Sequence, residues 1–262
     1  MGNSIDIDQL FHRSRERIRD LGEVFTPESC VHDMLALFDQ DSENIWGDEN
    51  ISFFEPCCGH GNIVTVIYKK RLEGFYNKAQ LHGFQQPALY AVANAMNTLW
   101  AIDIDPQNVA HCKMRVLRHT LEFVNEKTGV SDIASNIAQD PDFFAHLLCA
   151  INWHIHENET LSSLSRADTA AANAGKTQAG KRWISLNGHR PIDFQTSWTD
   201  HFQARKADKL IALDFERSTR FIKNLLAGNE RGGGEFGFAD FLIGTPTTAS
   251  DLLVRTKDRA TG

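Results

Sequence analysis

The stretch Phe53–Val64, FFEPCCGHGNIV, restricts the fold more tightly than any other part of the chain. Ile51–Glu55 (ISFFE) reads as a short buried strand that ends on an acid. Gly59 and Gly61 then flank His60, and a helical pattern with Ile63, Val66 and Ile67 follows at once. A strand that runs through a glycine turn straight into a helix is the opening unit of an open parallel sheet, where ligands bind beyond the carboxyl ends of the strands. Glycine there lets the backbone approach a ligand closely.

The alternation continues downstream. LYAVANAMNTLWAIDIDP holds a helix and then a strand near TLWAID, and PQNVAHCKMRVLRHTLEFVNEK is a further helix capped by Asp105. Strand, helix, strand, helix predicts an α/β fold with a parallel sheet wound with helices. A third strand is expected in the middle of HLLCAINWHIHENETL, a long helix from Thr199 to Glu230, and a last apolar strand over Phe238–Gly244. Upstream, IDIDQLFHRSRERIRDLG reads as a helix stopped by Gly22. A second helix follows, with Thr26 as N-cap, Pro27 at its first position and Glu28 in its first turn. Val31, Met34, Leu35 and Phe38 fall on one of its faces. Lys69, Lys70 and Arg71 read as a solvated face of the helix after the glycine turn.

The chain divides accordingly into an N-terminal helical segment (1–47), a sheet domain (48–248) and a tail (249–262). A segment near 162–190 is poor in large apolar residues and rich in Ala, Ser and Gly, and is expected to be a flexible insertion. Its NAGKT (Asn173–Thr177) lacks the earlier glycine and preceding strand of a phosphate-binding loop.

Charge and cysteine usage exclude some functions. With 27 Lys and Arg against 34 Asp and Glu, the net charge of -7 offers no overall attraction to a polyanion, so a nucleic-acid surface must be local or supplied elsewhere. Five cysteines without paired CxxC spacing argue against a zinc site or a disulfide framework. His154 and His156, with Glu157 and Glu159 nearby, lack the ligand pattern of a metal centre, and no metal is assigned. The charged N-terminus is unlike a signal peptide, and no stretch of about 18 apolar residues suggests a membrane span. A soluble cytoplasmic protein with no membrane partner is expected.

Glu55 and Asp103 carry the chemistry. An acid after the second strand of a nucleotide-binding unit accepts hydrogen bonds from ribose hydroxyls, so the pair implies a nucleoside cofactor. The third glycine of a diphosphate-binding fingerprint is missing.

EPCCGHGNI resembles the first motif of class I S-adenosylmethionine-dependent methyltransferases, in the form used by adenine-specific (N6) DNA methyltransferases. GEVFTPESCVHDML is similar to that family's N-terminal Thr-Pro motif, and WAIDIDPQNVAHCKMRV to its second motif. DFLIGTPTTAS is similar to its catalytic D-x-x-I-G-N-P-P-Y motif. The matches stand in the family's order between about Leu21 and Thr248.

The resemblance implies a Rossmann-like methyltransferase sheet, S-adenosyl-L-methionine as cofactor and DNA as partner, in a restriction-modification or phage setting. It implies that Thr26 and Pro27 hold the methionine end of the cofactor, that Glu55 lies near its amino group, and that Cys57, Gly59 and Gly61 shape the turn. Asp103 would bind the ribose, Ile104 would pack on the adenine, and Glu159 in NETL would contact the adenine edge.

The catalytic motif departs from the family pattern. Its base-holding Asn, Pro and aromatic residue correspond to Thr245, Pro246, Thr247 and Thr248. A threonine hydroxyl reaches less far than an asparagine carbonyl, and Thr248 cannot stack on an extruded base. Only residues 245–262 follow Gly244, too few for the remaining strands and a target-recognition region, so the sheet is expected to be incomplete. A shifted reading frame through the Thr-Pro-Thr-Thr-Ala codons can encode Asn, Pro and Tyr, and sequencing the locus tests this: no such motif in any frame would rule it out. Two alternatives to an active adenine-specific enzyme remain open. One is a catalytically inactive cofactor-binding remnant, or a subunit completed by a partner chain. The other is a methyltransferase acting on RNA or protein.

Overall fold

The computed structural model describes residues 26–41, 45–130, 132, 135–136, 139–164, 177–204, 212–213 and 242–243. The expected N-terminal helix and Thr245–Thr248 lie outside them. The described residues form an α/β arrangement around a three-stranded parallel sheet, with strands β1 (Phe53–Glu55), β2 (Leu99–Asp103) and β3 (Ile155–Glu157) in that spatial order. Phe53 pairs with Leu99 and Glu55 with Ala101, while Ala101 pairs with Ile155 and Asp103 with Glu157. Glu55, Asp103 and Glu157 therefore all stand at the same edge of the sheet.

Helices fill the crossovers. Helices α2 (Asn62–Leu81) and α3 (Pro87–Asn97) join β1 to β2, and α4 (Pro106–Thr128) and α5 (Pro141–His154) join β2 to β3. Three of them begin with proline in the first turn, where its missing N–H costs nothing. The Asp105 side chain caps α4 by accepting from Gln107 N–H (2.9 Å), as its sequence position predicts. All five residues of β2 are buried, as befits the central strand of a parallel sheet. Val64, Leu72 and Phe75 of α2 meet Val92 and Met96 of α3 and Val116 and Leu121 of α4 in one core. Tyr68 of α2 hydrogen-bonds Thr120 of α4 inside it (2.7 Å).

Several expectations change. The expected third strand does lie within HLLCAINWHIHENETL, at Ile155–Glu157, but the apolar run before it belongs to the helix α5. A short continuous apolar run does not by itself distinguish helix from strand, and Pro141 starts a helix long enough to include it. Helix α1 (Glu28–Asp41) begins one residue after the expected start, with Pro27 C=O accepting from Val31 N–H. Its apolar face splits: Val31 and Leu35 are buried, whereas Met34 (42 % exposed) and Phe38 (49 %) face outward.

Arg71 is not on a solvated face. It is fully buried, and its guanidinium donates to the carbonyls of Ile45, Asp48 (2.9 Å) and Ile51 (2.8 Å) and to Thr98 Oγ1 (2.7 Å). It also lies over the Phe53 and Phe75 rings. A buried cation survives only where oxygens replace its water shell, and the loop from Ile45 to Ile51 supplies them. Gly74, one turn along, lets this loop approach: a Cβ there would lie 2.5 Å from the Trp46 carbonyl carbon.

Of the expected insertion, the described parts include α6 (Thr160–Leu164) and α7 (Gln178–Asn187), the latter capped by Thr177, which accepts from Gly180 N–H (3.0 Å). Helix α8 (Trp198–Ala204) falls at the start of the expected long helix. Ala212–Leu213 inside that span is instead a strand, β4, which pairs antiparallel with β5 (Leu242–Ile243). β5 falls in the expected last strand but belongs to this separate ribbon rather than to the parallel sheet.

Candidate binding site at the carboxyl edge of the sheet

The three loops that leave β1, β2 and β3 are tied to one another by their own residues. After β1, Gly59 and Gly61 take positive φ (52° and 88°), so the chain folds back over the end of β2. Gly59 N–H then donates to Asp103 Oδ2 (2.8 Å), and Cys58 N–H to the Ile102 carbonyl (2.8 Å). Asp103 Oδ1 accepts from Asp105 N–H (2.9 Å) and from the Asn108 amide (3.3 Å). Beyond β3, Asn158 N–H donates to the Asp103 carbonyl (3.0 Å), and the Thr160 hydroxyl to the Pro56 carbonyl (2.8 Å). Thr160 Oγ1 also lies 3.6 Å from Cys57 Sγ, and the Glu159 carboxylate accepts from Ser162 N–H (2.7 Å).

Glu55, Cys57, Gly59, Asp103 and Glu159, drawn from distant parts of the sequence, thus meet at one edge. Their electrostatics agree. Burial pushes the Glu55 carboxyl above its ordinary range, against a stabilising hydrogen bond from Cys57 N–H (3.1 Å) and with the help of the nearby Asp103. Burial likewise raises the Cys57 thiol, and Asp103, Glu55 and Glu159 add to the effect. A group of carboxylates at one sheet edge suits a ligand bearing hydroxyls and a cationic centre.

The two turn glycines differ. A Cβ on Gly59 would meet no atom within 4 Å, so the turn is open on that side. A Cβ on Gly61 would lie 2.8 Å from Cys112 Sγ and 3.2 Å from Cys112 Cα, so Gly61 is required for the packing of α4 against the turn. The Cys58 thiol, buried beneath the turn against Cys112, is pushed well above the ordinary thiol range. The carboxylate of Asp103 has about four acceptor positions, and the protein's own donors occupy three, leaving one for a ligand rather than two. Asp103 is therefore a brace of the turn as well as a candidate ligand contact.

Thr26 is also drawn in. Its carbonyl accepts from the Asn62 side-chain amide (3.1 Å) at the start of α2, which sets Thr26 and Pro27 beside the glycine turn. Ile104 follows Asp103, partly exposed. The tryptophan on α7, Trp183, donates to Glu157 Oε1 (2.6 Å) and is buried, with the Arg190 guanidinium near its ring. Sequence reasoning missed Asn62, Asn158, Thr160 and Trp183. Only Thr160 carried a local signal, a hydroxyl residue opening a short helix; the others are defined by neighbours far along the chain. Among the described residues no group of three or more His, Cys, Asp and Glu could hold a metal ion, and no helix is long and apolar enough to cross a membrane.

No family model, curated protein or solved structure matches this chain.

Proposed function

We propose that the carboxyl edge of the sheet binds S-adenosyl-L-methionine and that the chain is of the adenine-N6 DNA methyltransferase type, with a Rossmann-like sheet. The observation that carries this is the hydrogen bond from Gly59 N–H to Asp103 Oδ2, made beside a glycine whose outer side is open. It joins the two segments whose sequences resemble the family's cofactor motifs, in the order and at the sheet edge that cofactor binding requires. The Asn62–Thr26 hydrogen bond brings the Thr-Pro segment to the same turn. In this function Thr26 and Pro27 bound the methionine end, Glu55 attracts the amino group, Asp103 accepts from a ribose hydroxyl, and Ile104 and Glu159 flank the adenine.

Methyl transfer to an adenine amine requires an acceptor for the amine and a stacking partner for the extruded base. Thr245–Thr248 offer neither an Asn nor an aromatic side chain, which favours a chain that binds the cofactor without transferring its methyl group unless a partner supplies the missing parts. Titration with S-adenosylmethionine in a calorimeter tests the first half, with saturable one-to-one binding expected. A labelled-methyl assay on DNA tests the second, with no incorporation above background expected. Absence of binding by the folded protein sinks the cofactor assignment, and robust adenine methylation sinks the inactive form.

A further inference from the structure

The guanidinium of Arg115, on α4, touches the site in three places. Its Nη1 donates to the His60 carbonyl in the glycine turn (3.0 Å) and to Asn62 Oδ1 (2.5 Å), and its Nη2 to Thr65 Oγ1 (3.3 Å). Thr65 in turn donates to the Gly61 carbonyl (2.8 Å), so both contacts on α2 hold its first turn. Arginine carries donors only. It therefore obliges Asn62 to present its oxygen to Arg115 and its NH2 to the other side, where the Thr26 carbonyl accepts (3.1 Å).

We propose that Arg115 is a positioning residue that latches the Thr26–Pro27 segment onto the glycine turn through Asn62, and so sets affinity for the amino-acid end of the cofactor but not for its adenosine. The inference rests on the S-adenosylmethionine assignment. It adds that recognition of the two ends of the ligand is separable, because the ends are held by different hydrogen-bond systems. Asp103, with the Gly59, Asp105 and Asn108 donors around it, shares no hydrogen bond with Arg115 or Asn62. Loss of the guanidinium removes the partner that orients the Asn62 amide and so loosens its bond to the Thr26 carbonyl, while the Gly59, Asp105 and Asn108 donors to Asp103 all remain. Lysine replaces the arginine only in part, since one ammonium does not span three acceptors set around a planar fork.

The test compares two ligands on the full chain. S-adenosylmethionine contains the amino-acid end, and 5′-methylthioadenosine lacks it. Arg115→Met is expected to weaken S-adenosylmethionine at least about tenfold, as loss of a charge-assisted hydrogen-bond system does, and to leave 5′-methylthioadenosine within about twofold. Asn62→Ala should give the same pattern, and Arg115→Lys should rescue only in part. Without ligand, amide exchange at Val31 should accelerate in Arg115→Met while the amides of Leu99–Asp103 keep their protection. An equal loss for both ligands, no loss for either, or unchanged exchange at Val31 overturns the latch. A wild-type chain that binds neither ligand refutes the cofactor assignment instead, and the exchange experiment alone then decides whether Arg115 holds the segment.

Discussion

Gly59 and Gly61 sit two residues apart in one turn, yet their surroundings give them different work. Both have positive φ, which any side chain resists. Gly61→Ala adds a methyl group that must displace Cys112, including its backbone, so it should destabilise the fold by about 2–4 kcal/mol from strain and overpacking together. Gly59→Ala should cost only the conformational term of about 1–2 kcal/mol, but its methyl group projects into the open side of the turn. Cofactor affinity should therefore fall more in Gly59→Ala than in Gly61→Ala once both are folded. Thermal unfolding and ligand titration on the two variants check this, and the opposite ranking in affinity would make Gly59 a turn residue only. Glu55, Asp103 and both glycines were visible in the sequence because a strand end and a tight turn are local events. Arg71 was not. Next to Lys69 and Lys70 it reads as surface, and only the carbonyls of the Ile45–Ile51 loop make its burial tolerable.

At the scale of elements, Arg71 joins α2, the loop before β1 and the end of α3 at Thr98. Burial lowers its pKa to about 10, still far above neutral, so the cation is retained. Arg71→Met keeps much of the volume but leaves three loop carbonyls and the Thr98 hydroxyl without this donor. Hydrogen bonds to a charged group are worth about 1.5–3 kcal/mol each. They do not add in full, and a loss of about 3–5 kcal/mol is expected, read as a lower urea midpoint with an unchanged slope. A shift under about 1 kcal/mol would mean that water replaces the guanidinium without cost. The helix and strand types of α2, α3, β2 and α4 followed from periodicity and capping residues. α5 did not, since its apolar run lacks the alternation that separates helix from strand, and β4 did not, since two residues carry no period at all.

At the scale of the whole molecule, acid stability follows from a buried imidazole. His154 is fully buried against Trp100, and its Nε2 accepts from Trp198 N–H (3.2 Å), which requires the neutral ring. Burial, helped by His156, depresses its pKa from 6.5 to about 3. Between those values the unfolded chain binds a proton that the folded chain does not, so stability is lost as pH falls from about 6.5 towards 3, at up to about 1.4 kcal/mol per pH unit. The raised pKa of Glu55 acts in the other direction, since it favours the folded state at low pH and that contribution is lost as pH rises through its folded value. Urea midpoints at pH 7 and pH 4.5 measure the net effect. A smaller pH dependence is expected in His154→Gln, whose amide oxygen can still accept from Trp198, and an unaltered dependence would take His154 out of the account.

The sequence by itself determined the alternation of the first two strands with their helices, and the acids and glycines at the ends of those strands. Those features depend on periodicity, caps and turns, which are set within a few residues. Tertiary structure alone decided which glycine faces open space, how much of Asp103 remains for a ligand, why an arginine is buried at position 71, and that Thr26, Asn62, Thr65 and Arg115 share one hydrogen-bond system. Each of these is a relation between groups from separate segments. A side chain's donors and acceptors can be listed from its identity, but their partners exist only once the chain has closed on itself.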